Sequence, residues 1–282
     1  MQDKNNKIDR IISVLESSSD RFSNYQSFPE IVLKTIPKLK EIKYKKGQID
    51  LDQKRYNWLN NYLERNIKTA LDIGANLGYF SIMLASRNNL VVDAYEPYLH
   101  YNSVLNELSK ILNLEKTLNV YLNEIDLMKL DKIKNYDLVI NLNILHHAGI
   151  FFDTKKFKQF DNWFLYIKEY LTIICKKSKY LFFQVGNMAR GSALFDSDNT
   201  IEIMQKIFNE CGWKILKVGV ISNLDTLDYE TYELENLDSI KLFKCMRNTK
   251  TNLVDYYYDK KLIKSLKTGF AQRPLWLCMS KH

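Results

Sequence analysis

Residues 71–80 combine one acid with glycines spaced so that a strand could turn directly into a helix. Within them, Asp72-Ile-Gly74-Ala-Asn76-Leu-Gly78 would let the backbone bend sharply and leave amides bare for a ligand. In Tyr95-Glu96-Pro97, 22 residues after Gly74, a second acid could accept hydrogen bonds from both hydroxyls of a ribose. The two segments indicate a nucleoside site, and a helix-capping role is the alternative for Glu96.

Two adjacent histidines, His146 and His147, are the candidates for acid–base chemistry. Imidazole is the side chain best matched to proton transfer near neutral pH. Both follow a predicted strand at its carboxyl end, where ligands bind in open α/β sheets. We prefer His147 as the base, and a structural histidine that caps the next loop is the alternative for either. The remaining histidines are isolated and no acidic cluster has ligand spacing, so we predict no metal site.

Alternating strands and helices must position these residues. From residue 69 onwards, short apolar runs alternate with stretches of helical periodicity, which predicts an α/β fold with a doubly wound, mostly parallel sheet covered on both faces. Seven strands are predicted, at 69–73, 90–95, 118–122, 136–140, 180–185, 213–221 and 275–279. Helices are predicted at 78–87, 98–112, 157–175 and 200–211.

Two segments lie outside this predicted core. Residues 1–68 form a helical N-terminal cap, with a break at Lys45-Lys-Gly-Gln48, and residues 69–282 form the core. Within the core, an insertion at about 223–273 begins acidic and becomes basic and aromatic. It is far longer than an ordinary strand connection, and such insertions often carry specificity.

The composition limits the class of protein. The formal net charge of +8 permits nucleic-acid binding, but the lysines are spread along the chain, which favours a compositional origin. Four scattered cysteines without a CxxC pair are typical of a reducing compartment. A polar N-terminus and the lack of an apolar run of about 18 residues predict a cytoplasmic protein without a membrane span.

The glycine segment resembles the first motif of class I S-adenosylmethionine-dependent methyltransferases, in its looser form DxGxxxG with Asn76 in place of a middle glycine. The nicotinamide fingerprint GxGxxG differs in its glycine spacing. The resemblance implies a Rossmann-like fold and S-adenosylmethionine as the cofactor. It also implies that Gly74, Ala75, Asn76 and Gly78 pass under the methionyl group, that Asp72 orients its ammonium, and that Glu96 and Pro97 lie at the ribose.

Two further segments match the same family in order and spacing. Asn123-Glu124-Ile125 lies 14 residues before Asp137, and the resemblance implies that this loop holds the adenine, with Asn123 on its amino group; an ordinary turn is the alternative. The segment from Tyr136 to His147 resembles the fourth-strand segment, which implies that Asn141 and Leu142 flank the transferred methyl group. Amine-directed members carry an (N/D/S)PP(Y/F) motif where this chain has Asn141-Leu-Asn-Ile, which disfavours amine acceptors.

Four residues are candidates for binding the acceptor. Arg190 could hold a phosphate or carboxylate, and Arg273, just before the last predicted strand, could shape the acceptor pocket. Tyr25 and Lys46 belong to an N-terminal segment that could fold over the cofactor as a lid. A solvated arginine, a turn or a packing helix is the alternative in each case.

The function predicted from these patterns is O-methylation of a polar small molecule, such as a sugar or glycan intermediate. The chain resembles bacterial methyltransferases of glycan and natural-product pathways. A distant similarity to wobble-uridine tRNA methyltransferases rests on Lys46-Gly47, a helix with Trp58 and the histidine loop, and the positive charge keeps a tRNA-modifying enzyme as an alternative. A non-catalytic member that binds a nucleoside or a partner is the third hypothesis.

Overall fold

The computed structural model describes most of the chain and divides it into two compact units. One unit comprises Met1–Tyr56 and Glu64–Glu124, and the other comprises Asn57–Leu63 and Ile125–His282. The described residues are 2–17, 26–41, 51–87, 89–160, 162–189, 192–248, 250–251, 253–266 and 269–282. The predicted break at residues 45–48 lies outside them.

The first unit has a parallel three-stranded arrangement, in the order β3-β2-β1. Its strands are β1 Thr69–Ile73, β2 Val91–Tyr95 and β3 Leu118–Tyr121, and its helices are α1 Gln2–Ser17, α2 Glu30–Thr35, the start of α3 Leu51–Tyr62, α4 Tyr79–Ala85 and α5 Leu99–Ile111. Apolar side chains such as Leu71 and Val92 are fully buried, as expected for strands covered on both faces. The N-terminal helix α1 packs on α5 and buries Ile11 and Leu15.

The elements of the second unit are α6 Leu127–Lys132, β4 Tyr136–Leu142, α7 Thr154–Phe157, α8 Trp163–Lys177, β5 Ser178–Gln184, β6 Met188–Ala189, β7 Ser192–Ala193, α9 Thr200–Glu210, β8 Trp213–Ile221, β9 Tyr229–Tyr232, β10 Lys244–Asn248, β11 Leu253–Tyr258, β12 Lys261–Leu266 and β13 Leu275–Ser280. Five of these strands form a mixed sheet in the order β4-β5-β13-β8-β9. β4 and β5 are parallel, whereas β13 is antiparallel to both β5 and β8.

The predicted α/β class with a mostly parallel, helix-flanked sheet is confirmed, and each of the seven predicted strands is present. The structure adds β9, which was not predicted and which pairs with β8 in antiparallel register. The predicted helix over 157–175 is wrong at its start. Asn162 caps α8 by accepting the backbone N–H of Leu165, so the helix begins at Trp163 and α7 ends separately at Phe157.

The insertion at 223–273 builds strands of its own. After β9, strands β10, β11 and β12 form a separate antiparallel three-stranded sheet. Asp259 and Lys260 both have positive φ. They form a two-residue hairpin turn whose backbone twist matches that of β11 and β12. The insertion then ends at Arg273, immediately before β13. No helix in the described part of the chain is long and apolar enough to cross a bilayer.

Candidate functional site

The loop between β1 and α4 is shaped by left-handed residues. Gly74, Asn76 and Gly78 have φ of 73°, 54° and 83°, values that glycine and asparagine tolerate best. A Cβ at Gly78 would collide with the side chain of Leu105, so packing also demands glycine there. The N–H groups of Gly74 and Ala75 donate to the carbonyl of Tyr95 at 2.9 and 3.0 Å, which fixes the loop against the end of β2.

The carboxylate of Glu96 forms the second part of the site. It accepts the backbone N–H of Asn76 at 2.7 Å and that of Tyr98 at 2.9 Å, and the residue is 3% exposed. Burial raises the pKa of Glu96 to about 7, a change that the two amides oppose and that nearby Asp72 reinforces. A carboxylate has about four lone-pair positions, so two remain for further donors such as ribose hydroxyls.

Asp72 lies at the end of β1 and is bound by the first turn of α4. Its Oδ2 accepts the hydroxyl of Ser81 at 2.6 Å. Burial raises the pKa of Asp72 to about 6, and the hydrogen bonds from Ser81 partly offset the effect. Ser81 was not among the predicted site residues, because a serine within a buried apolar helix has no distinguishing sequence pattern.

A second residue that the sequence did not indicate is Gln26. Its Oε1 accepts the N–H of Tyr79 at 3.2 Å and so caps α4, where Gly78 has no side chain to do this. The adjacent Ser27 donates its N–H to Asp52 at 3.1 Å. The segment before α2 is therefore attached to this loop.

The predicted adenine loop follows β3 beside Glu96. The N–H of Glu96 donates to the carbonyl of Tyr121 at 3.1 Å, and Asn123 follows two residues later. Asn123 is exposed and accepts the N–H of Glu124 at 3.1 Å through its side chain. Ile125 is buried and belongs to the second unit, and Pro97 is exposed.

In the second unit, Asn141 lies at the carboxyl end of β4 and is fully buried. Neither its side-chain oxygen nor its nitrogen has a hydrogen-bond partner among the described residues. A buried amide without partners costs free energy, and such groups in native proteins call for an explanation. The neighbouring Leu142 is half-buried.

The two histidines occupy a short 3-10 turn, and their surroundings differ. His146 is 4% exposed, and its Nδ1 accepts the N–H of Gly186 at 3.3 Å. Burial, followed by the nearby Arg273 and His147, holds the pKa of His146 well below its ordinary value. The ring is therefore neutral with its proton on Nε2. His147 is half-buried, with its ring centroid 4.0 Å from that of His146 and 5.1 Å from that of Phe151.

Arg273 closes a ring of hydrogen bonds next to these histidines. Its Nη1 donates to Asn143 at 2.7 Å, Asn143 donates to the Gln184 side chain at 2.9 Å, and Gln184 donates to the carbonyl of Arg273 at 2.8 Å. The guanidinium lies 4.7 Å from the ring centroid of Phe270, and a Cβ on Gly186 would approach its Cζ to 2.8 Å. The loops after β4 and β5 are thus bound to the end of the insertion.

The structure brings His146, Gly186 and Arg273 together, and it adds Asn143 and Gln184, which the sequence analysis did not select. The three other candidate acceptor residues, Tyr25, Lys46 and Arg190, lie outside the described residues. Among the residues that the structure does describe, no group of three His, Cys, Asp or Glu could hold a metal ion. The first unit thus presents the buried carboxylate of Glu96, and the second combines a neutral imidazole with a guanidinium held by Asn143.

Comparison with known proteins supports the fold. No protein-family model and no curated protein matches the sequence. The bifunctional kinase-methyltransferase WbdD aligns with a TM-score of 0.50 and 14% identity, over 96% of this chain but only 46% of its own. The StiE O-MT aligns with a TM-score of 0.50 and 14% identity, over 97% of this chain and 90% of its own. The chain spans about half the length of WbdD. These similarities show that the chain has the Rossmann-like fold of class I S-adenosylmethionine-dependent methyltransferases.

Proposed function

We propose that the chain is an S-adenosylmethionine-dependent methyltransferase. The observation that carries the proposal is the loop from Gly74 to Gly78, which contains three left-handed residues. The N–H groups of Gly74 and Ala75 bind the end of β2, and the N–H of Asn76 binds Glu96. Such a loop leaves room for a ligand above the backbone, with an acceptor-only carboxylate beside it.

The residues present fit this cofactor. Glu96 would accept the ribose hydroxyls, the loop 74–78 with Asp72 would hold the methionyl part, and Asn123 with Glu124 would hold the adenine. The buried amide of Asn141, which has no partner among the described residues, is available to a polar group of a ligand. When bound, S-adenosylmethionine supplies an electrophilic methyl group on a sulfonium.

We further propose a hydroxyl group as the acceptor, on a polar small molecule such as a sugar or glycan intermediate. A hydroxyl must lose a proton on methylation, and His147 is the group to accept it, because Nδ1 of His146 is already used by Gly186. The absence of the amine-directed motif at residues 141–144 supports oxygen over nitrogen. Arg273, fixed by Asn143, would position an acidic group of the acceptor.

Isothermal titration with S-adenosylmethionine and S-adenosylhomocysteine tests the cofactor assignment. We expect micromolar binding that is weakened at least about tenfold in Glu96→Gln, since that change removes the charge-assisted acceptor. Glu115→Gln, which alters an exposed acid of the same unit, should bind like the wild type. Failure of the folded wild-type protein to bind either compound would contradict the proposal.

A tRNA substrate is the second candidate, and the net charge of +8 favours it. It requires tRNA binding that weakens steeply as the salt concentration rises. Incubating the protein with S-adenosylmethionine and either total tRNA or a panel of monosaccharides and oligosaccharides separates the two, because only the true acceptor gains the mass of a methyl group.

A further inference from the structure

The sheet formed by β10, β11 and β12, here called the meander sheet, exposes large apolar side chains. Met246, Tyr258, Leu262 and Ile263 are 67, 39, 56 and 53% exposed. None of them belongs to the candidate functional site. Single exposed apolar residues are ordinary, but several on one small sheet call for a partner.

The strand register places Met246 and Leu262 on one face of the meander sheet and Tyr258 on the other. Lys244 pairs with Tyr257, and Tyr257 pairs with Leu262. Because side chains alternate along a strand, Met246 points to the same side as Lys244 and therefore lies diagonal to Tyr257. The register shift after Tyr256 leaves Ile263 outside the regular pairing, beside Leu262.

The segment that contains this sheet is rich in positive charge. Residues 241–266 contain seven Lys and Arg and only two Asp, whereas residues 223–240 contain six acids and no Lys or Arg. Two of the lysines, Lys244 and Lys264, form ion pairs with Asp198 and Asp225, which lie outside the sheet. One of the two aspartates, Asp255, is buried and accepts hydrogen bonds from Asn248 and Ser265. Lys260 and Lys261 are exposed at the tip of the β11–β12 hairpin, next to Leu262.

We propose that the meander sheet binds the protein to the surface of an anionic lipid bilayer. Aliphatic side chains can enter the headgroup region while neighbouring lysines meet lipid phosphates, and neither contact alone is strong. Single-stranded nucleic acid would draw on aromatic stacking and would leave Met246, Leu262 and Ile263 without a partner. A second copy of the same face would bring like charges together. This inference does not depend on the proposed catalytic function.

Co-sedimentation of the full chain with vesicles tests the proposal without any activity assay. We expect binding to phosphatidylcholine vesicles that contain phosphatidylglycerol, and little binding to phosphatidylcholine alone. Lys260→Glu combined with Lys261→Glu should weaken the binding at least about 25-fold, roughly a factor of five for each lysine lost. The matched control is Lys155→Glu with Lys158→Glu, which changes the net charge equally at exposed positions elsewhere.

A second pair of variants tests the apolar contribution. Met246→Ser should reduce the binding that remains at high salt, whereas Met128→Ser, at a methionine that is 63% exposed on α6, should not. Equal loss in the meander and control variants, or no binding to either vesicle by folded protein, overturns the proposal. Loss of a concentration-dependent dimer or of tRNA binding in the meander variants, without any vesicle binding, overturns it as well.

Discussion

The carboxylate of Glu96 accepts the backbone N–H of Asn76 at 2.7 Å, and this bond adds a side-chain link to the backbone bonds that join the end of β2 to the loop after β1. The same carboxylate also accepts the N–H of Tyr98, ahead of α5. A side chain proposed to bind the ribose therefore also holds the loop proposed to bind the methionyl group, so its protonation state affects both stability and ligand binding.

We predict that Glu96 destabilises the protein at pH 8 relative to pH 5, whereas buried His146, whose pKa is lowered, acts in the opposite direction. Burial raises the pKa of Glu96 from 4.5 to about 7, so the folded state binds more protons than the unfolded state between these values. Stability is therefore lost as the pH rises through 7, by about 3 kcal/mol for this group, and Asp72 acts in the same direction at lower pH. Urea unfolding at the two pH values measures the change in stability for each variant. Relative to the wild type, Glu96→Gln should lose less stability, or gain more, on going from pH 5 to pH 8, whereas Glu115→Gln should behave like the wild type.

Cofactor binding should depend on pH in the opposite sense. Ribose hydroxyls donate to an ionised carboxylate, so binding should release the proton that Glu96 holds below pH 7. Affinity for S-adenosylhomocysteine should rise about tenfold from pH 6 to pH 8. Titration calorimetry in buffers with different ionisation enthalpies counts the released proton, and heats that are independent of the buffer would contradict the prediction.

Ser81→Ala should destabilise the protein by about 1–3 kcal/mol. The change removes the hydroxyl that Asp72 accepts at 2.6 Å in a buried place, and no solvent replaces it there. Urea unfolding at pH 8, where Asp72 is ionised, measures the loss. Ser86→Ala is the control, since Ser86 is exposed and its hydroxyl donates a hydrogen bond to the carbonyl of Ile82 in the same helix. Similar losses in both variants would argue against a special role for Ser81.

Gly186→Ala should displace Arg273 and cost about 1–3 kcal/mol in the free energy of unfolding. The added Cβ would lie 2.8 Å from Cζ of the guanidinium, which is already held by Asn143. Gly269→Ala is the matched control, because its nearest neighbour would be 4.0 Å away. Urea unfolding compares the two, and an equal effect would indicate that the guanidinium moves without strain.

The two histidines should respond differently to substitution. His147→Gln should lower the turnover number by about 10²–10⁴-fold, as for the loss of a general base. His146→Asn should retain most of the activity, because the Asn oxygen can still accept the N–H of Gly186. Formation of S-adenosylhomocysteine with the identified acceptor gives both rates. The reverse order of effects would assign the base to His146.

Buried strands were the part of the fold that the sequence predicted best. β1 and β8 have the predicted bounds, since each is a mostly apolar segment followed by a glycine or polar break. The predicted start of α8 was wrong because Phe157 belongs to the same apolar pattern, although the helix begins only after its cap residue, Asn162. The six-residue α6 was too short to give a periodic pattern.

For the candidate site, the loop 74–78 and Glu96 were predictable because local motif and strand position place them. The contact between Gln26 and Tyr79 joins residues 53 positions apart, and the one between Asn143 and Arg273 joins residues 130 apart. Such contacts depend on tertiary packing, so the local patterns of a single sequence do not predict them. The same applies to Gln184, whose role depends on both partners.

The position of β13 has a consequence for how the chain matures on the ribosome. Residues 275–280 are synthesised after β5 and β8, yet they lie between these two strands and pair with both. Until residues 275–280 have left the ribosome, the facing edges of β5 and β8 have unsatisfied backbone hydrogen-bonding groups. Such edges are templates for pairing with other chains. Arg273, which immediately precedes this segment, is also synthesised late, and its hydrogen bond to Asn143 cannot form earlier. The loops around the histidines can therefore reach their final conformation only after residue 273 has been translated.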